Sequence, residues 1–97
     1  MWTSTISKTK PPSQGKTLAF STAFGSFTGT PTANWNQNVA DVIAIDQGGG
    51  VFKRYFRSGD GVWRDASNLS TSIVNPITPG KAVYYFHYGT GSLSINF

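Results

Sequence analysis

Between Asp41 and Ala66 the chain alternates short β-branched or aromatic runs with glycine-bearing turns: "DVIAID", Gly48-Gly49-Gly50, "VFKRYFR", "SGDG" and "VWRDA". Runs of this length bounded by glycine and aspartate read as strands joined by tight turns. No ten-residue window carries capped helical periodicity, and glutamate, a good helix former, is absent. The chain is therefore constrained to a β architecture.

The same pattern extends outward. "TLAFS" alternates Leu18 with Phe20, "FGSFT" supplies Phe24 and Phe27 around a glycine, and both are expected as strands. "GTPTANWNQNVA" is a loop rich in turn formers, and Pro79-Gly80 suits the centre of a type II turn. "KAVYYFHYG" is the strongest strand, with Val83, Tyr85 and His87 on one face and Ala82, Tyr84, Phe86 and Tyr88 on the other. "SLSINF" alternates Leu93, Ile95 and Phe97 with polar partners. Residues 1–16 are polar, carry three lysines and Pro11-Pro12, and read as an N-terminal arm or linker with room for one strand at "WTSTI". The expectation is an all-β chain: residues 17–97 form a single domain, an antiparallel β-sandwich or small barrel of six to eight short strands. Three Trp, four Tyr and seven Phe can fill its core.

Composition removes several functions. There is no cysteine, hence no disulfide, thiolate metal site or cysteine nucleophile. The formal charge of +4 reflects scarce acid, eight Lys or Arg against four Asp. The bases are spread from Lys8 to Lys81, whereas a nucleic-acid binder gathers them on one face. No apolar run approaches the ~20 residues of a membrane span. "MWTSTISKTK" has basic residues with no apolar centre behind them, unlike a secretory signal.

No catalytic residue, metal ligand set or cofactor motif emerges. His87 is the sole histidine and is expected as a surface or satisfied core residue. Asp41 and Asp46 bracket a strand and read as boundary or turn residues; Asp60 belongs to the "SGDG" turn. "DQGGG" and "GDG" lack the strand–loop–helix setting of a phosphate loop. An enzyme is not expected. The candidate ligand or interface residues are aromatic and basic. Alternation on "VFKRYFR" pairs Phe52 with Phe56 toward the core and leaves Lys53, Tyr55 and Arg57 as an outer amphipathic strip. Together with Arg54, such a strip could bind single-stranded nucleic acid by stacking and charge. Trp35, set among three asparagines in a loop, could stack on a sugar ring. Trp2 could anchor the arm on a neighbouring subunit.

From Phe20 to Tyr85 the order runs strand, Trp-bearing loop, "ADVIAID", glycine turn, "VFKRYF", "GVWRD", a polar gap and "ITPGKAVYY". This order resembles small β-sandwich modules of bacterial secreted and cell-surface proteins. The resemblance implies structural support, display or attachment, with no catalytic residue to carry over. The expected function is a non-catalytic structural or interaction domain, self-assembling or surface-attached, whose partner is itself or a protein of a cell surface or virus particle. A carbohydrate-binding module is the alternative, and single-stranded nucleic-acid binding comes third.

Overall fold

A computed structural model of the protein describes residues 2–9, 20, 24, 27–73, 82–89 and 93–95. Seven strands occur among them: β1 (Trp2–Thr9), β2 (Phe27–Thr28), β3 (Val42–Gly48), β4 (Val51–Arg57), β5 (Trp63–Asp65), β6 (Ala82–Tyr88) and β7 (Ser94–Ile95). The main sheet is antiparallel and open, in the order β1-β6-β3-β4-β5; β2 and β7 make a separate two-stranded ladder. The all-β expectation holds for these residues.

β3 owes its central place to "VIAI": Val42, Ile43, Ala44 and Ile45 are all buried, so apolar side chains are wanted on both faces of this strand. Gly48, Gly49 and Gly50 take φ of 93°, 63° and 81° in the turn to β4, a region where a side chain would be strained. In the following turn Ser58 N donates to Val62 O and Gly61 N donates to Ser58 O. The strand foreseen at the start of the arm spans Trp2–Thr9 and pairs along β6, with Ile6 opposite Tyr85 and Trp2 opposite Tyr88. Pro11-Pro12, Leu18, Pro79-Gly80 and Phe97 lie outside the described residues.

The inner face of the sheet carries Ile43, Ile45, Tyr55, Trp63, Val83 and Tyr85, and Phe20, Phe24 and Leu93 pack on it from outside the sheet. Phe20 lies 5.1 Å from the rings of both Phe24 and Tyr55 and 6.2 Å from Trp63; Trp63 meets Tyr85 edge-on at 5.9 Å. Tilted and edge-on pairs of this kind each add about 0.5–1.5 kcal/mol beyond area burial. Phe20 and Phe24 have helical backbone, which corrects the strand expected at these two positions of "TLAFS" and "FGSFT"; Phe27–Thr28, at the end of the latter, is strand β2 as expected. Four-residue spacing puts both rings on the same side, so either backbone pattern would read as apolar there.

The outer face is divided. Ala40, Val42 and Phe56 form a second buried cluster with Ala66 and Phe86 against it. Further along, Phe52 is 42% exposed and Arg54 is exposed. This corrects the expected facing of β4. The alternation is as expected, but Tyr55 is the core residue, 3% exposed, and its face is the inner one. Register explains the reversal. Ile43 stands opposite Tyr55 and Ile45 opposite Lys53, so Tyr55 shares a face with the isoleucines that Phe20, Phe24 and Leu93 cover.

Candidate functional site

Three polar groupings gather the side chains that carry charge or hydrogen-bonding chemistry. The deepest is built on Asp41, the residue just before β3, which has no exposed surface. Tyr85 Oη donates to its Oδ2 at 2.6 Å and Tyr88 N donates to its Oδ1 at 2.8 Å. His87 Nδ1 stands 3.0 Å from Oδ1 and 2.9 Å from Oδ2, which places the donated hydrogen on Nδ1. Tyr85 and His87 are 1% and 4% exposed. Burial, then the hydrogen bond to Asp41, pushes the Tyr85 hydroxyl far above its ordinary range. The backbone closes the same knot: Asp41 N donates to Thr32 O, Arg57 N donates to Asp41 O, and Thr32 Oγ1 donates to Tyr88 O.

Asp41 stands at the boundary of β3, as expected, and is in addition a buried tie between the Trp35 loop and β6. His87 matches the satisfied core histidine. A signal for the knot was present in the alternation of "VYYFHY". A strand that turns Tyr85 and His87 inward needs a buried acceptor, because an unmatched polar group costs about 1–3 kcal/mol. With four carboxylate side chains in the chain, the choice was short.

The second grouping surrounds Trp35, which is 56% exposed. The Arg64 guanidinium lies 5.1 Å from its ring centroid. Arg64 is itself held by Asp60 Oδ2 at 2.6 Å, Leu69 O at 2.9 Å and Ser58 Oγ at 3.1 Å. The single Ser58 hydroxyl hydrogen has Asp60 Oδ1 and Val62 O as its two neighbouring acceptors. Hydrogen bonds from Arg64 and then Ser58 hold the Asp60 carboxyl at about 2. Leu69 adopts φ 64°, an uncommon conformation for leucine, while its carbonyl accepts from Arg64. On the other side of the loop, Asn34 Oδ1 accepts from Asn36 N and Asn36 Oδ1 from Asn38 N. An exposed indole on a polar loop is thus fixed by its neighbours, with Gly59 so close that a Cβ there would fall 2.5 Å from Trp35 Cδ1.

The third grouping is at the rim of the inner face. Lys53 Nζ pairs with Asp65 Oδ2 at 2.6 Å, and Asp65 Oδ1 accepts from Ser67 N and Oγ. Burial opposes the Asp65 charge, but Lys53 and Ser67 outweigh it and hold the carboxyl at about 2; the same hydrogen bond raises Lys53 above its ordinary value. Arg57 lies 5.4 Å over the Trp63 ring. Lys53, Tyr55 and Arg57 thus share one face, yet they make no outward strip: Tyr55 is in the core and the two cations are engaged at its margin. Trp2 occupies the first position of β1. Of the candidates whose side chains are described, Trp35 alone stands as a large exposed aromatic.

What does face outward is Arg54. It lines three adjoining concavities on the outer face: one with Ala44, Phe52, Tyr84 and Phe86, one with Gln37, Asn38, Val42 and Phe86, and one with Gln37, Phe52, Lys53 and Asp65. Of the two phenylalanines expected toward the core, only Phe56 is buried, and Phe52 lies open beside Arg54.

Among the described residues no three His, Cys, Asp or Glu gather as a metal site, and no helix is long and apolar enough to cross a membrane. No protein-family model, curated protein or solved structure matches the chain.

Proposed function

We propose that this chain is a non-catalytic β domain that works by association, self-assembling or surface-attached, with its main sheet as one layer of a β-sandwich. The second layer in this reading is contributed by the segments that bear Phe20, Phe24 and Leu93. The observation that carries it is the open half of the outer sheet face, where Phe52 and Arg54 are exposed beside Tyr84 around an apolar concavity. The disposition of the acids supports the non-catalytic part. Asp41 accepts from Tyr85, His87 and Tyr88, Asp46 from Gly48 N, Asp60 from Arg64, and Asp65 from Lys53 and Ser67. Each of the four aspartates is thereby occupied in holding the fold. The resemblance to bacterial surface modules points the same way. Light scattering and sedimentation over a concentration series test the reading: it expects species larger than the monomer, and a strict monomer up to high concentration overturns self-assembly.

A second reading rests on Trp35. An indole that keeps more than half its surface exposed while Arg64, Asp60 and Ser58 brace it is suited to stacking against the flat face of a neutral sugar. Retention on insoluble polysaccharide, lost in Trp35→Ala, is its expected result; absence of binding to a broad glycan array overturns it. Single-stranded nucleic acid has less support, since the stacking residue it requires, Tyr55, is in the core.

A further inference from the structure

We infer that the outer sheet face is a self-complementary contact surface, on which a second copy of this chain docks face to face through reciprocal Arg54–Asp46 ion pairs. The inference rests on the self-association proposed above and identifies where it occurs.

Strand register defines the surface. Ala44 stands opposite Arg54 on β4 and opposite Tyr84 on β6, and Asp46 stands opposite Phe52. Alternation therefore puts Ala44, Asp46, Phe52, Arg54 and Tyr84 on one face. Ala44 is 5% exposed although its own side chain is small, and the rings of Phe52 and Tyr84 come within 5.5 Å of each other from the strands on either side of it. The result is a shallow aromatic floor with a cation beside it.

Two charges on this floor remain available. Arg54 is exposed and has no carboxylate or hydrogen-bond acceptor for its guanidinium among the described residues. Asp46 uses Oδ1 to hold Gly48 N at 2.7 Å, while Oδ2 has no partner among the described residues. The two sit on adjacent strands one step apart in register, a diagonal spacing of roughly 7–8 Å. An acidic partner would be drawn to Arg54 and repelled by Asp46; a basic partner would meet the reverse. A second copy satisfies both. With a two-fold axis in the contact plane bisecting the Arg54–Asp46 line, each guanidinium meets the carboxylate of the other copy and the aromatic floors face one another. Such contacts are reciprocal by symmetry: residue i touches j, and j touches i.

Charge reversal and charge swap provide the test, with association measured by sedimentation equilibrium. Arg54→Asp and Asp46→Arg should each weaken association about tenfold or more, because each sets like charges against one another. The double variant carrying both changes should recover most of the wild-type affinity. Circular dichroism melts of all three, together with Asp46→Asn, which keeps an acceptor for Gly48 N, separate loss of contact from loss of fold. Self-association that is indifferent to both reversals, or that the swap does not restore, overturns this surface while leaving self-assembly standing through another contact such as the β1 edge. A monomeric wild type overturns both.

Discussion

The two faces of one sheet solve opposite problems with the same strands. On the inner face Tyr85 and His87 point into an apolar layer, and the fold brings Asp41 from a separate segment to accept from both. On the outer face Arg54 and Asp46 stand beside Phe52 and Tyr84 with water to satisfy them. Inside, a polar group dictates the position of a distant residue, because desolvation without a partner is costly. Outside, Arg54 imposes nothing on the fold and Asp46 ties only its own turn through Gly48 N, so both keep capacity for recognition. Buried polarity here serves the architecture, and the exposed aromatic residues and charges are what the proposed interface rests on.

The largest test of this contrast is Asp41→Ala. It strands the Tyr85 hydroxyl, the Tyr88 amide and the His87 ring nitrogen, and should cost about 3–5 kcal/mol in urea unfolding. Arg54→Ala on the outer face should stay within about 0.5 kcal/mol. Equal costs would break the comparison.

Two phenylalanines on β4 sharpen it within a single strand. Phe56, with no exposed surface, should lose about 3–5 kcal/mol on truncation to alanine, whereas Phe52→Ala should lose under about 1 kcal/mol. A smaller effect is expected from acid. Asp60 and Asp65 are held at about 2, below their ordinary value. Their contribution is therefore complete above the unfolded-state value of about 3.9 and is lost as pH falls through about 2. The melting temperature should decline between about pH 4 and pH 2, and Asp65→Asn should make that decline shallower.

Gly59→Ala should cost about 1 kcal/mol, since its methyl displaces an exposed ring. Its readout is the Trp35 contribution to fluorescence, which should shift as the indole leaves Arg64. An unchanged spectrum would show that the brace does not hold the ring.

Much of the fold was legible from local pattern. "DVIAID", "VFKRYFR" and "KAVYYFHYG" mark the strands that became β3, β4 and β6, and the triple glycine marks the turn between the first two. The pairing of Tyr85 with His87 on one face followed from alternation alone. The facing of Lys53, Tyr55 and Arg57 did not, because both faces of "VFKRYFR" carry aromatics and composition cannot rank them. Phe20 and Phe24 were legible as apolar residues but not as helical ones. The candidate site was partly visible in Trp35; its brace was not, since Arg64 lies 29 residues further along the chain.

The sequence by itself determined the period of each strand, the positions of the β3–β4 and β4–β5 turns and the absence of thiol chemistry, because these depend on a residue and its near neighbours. Tertiary structure decided which face of each strand became the interior, which carboxylate met Tyr85 and His87, and which cation, Arg54, stands exposed on the outer face. Those outcomes depend on the register between strands and on what packs against the sheet, and both are set by residues distant along the chain.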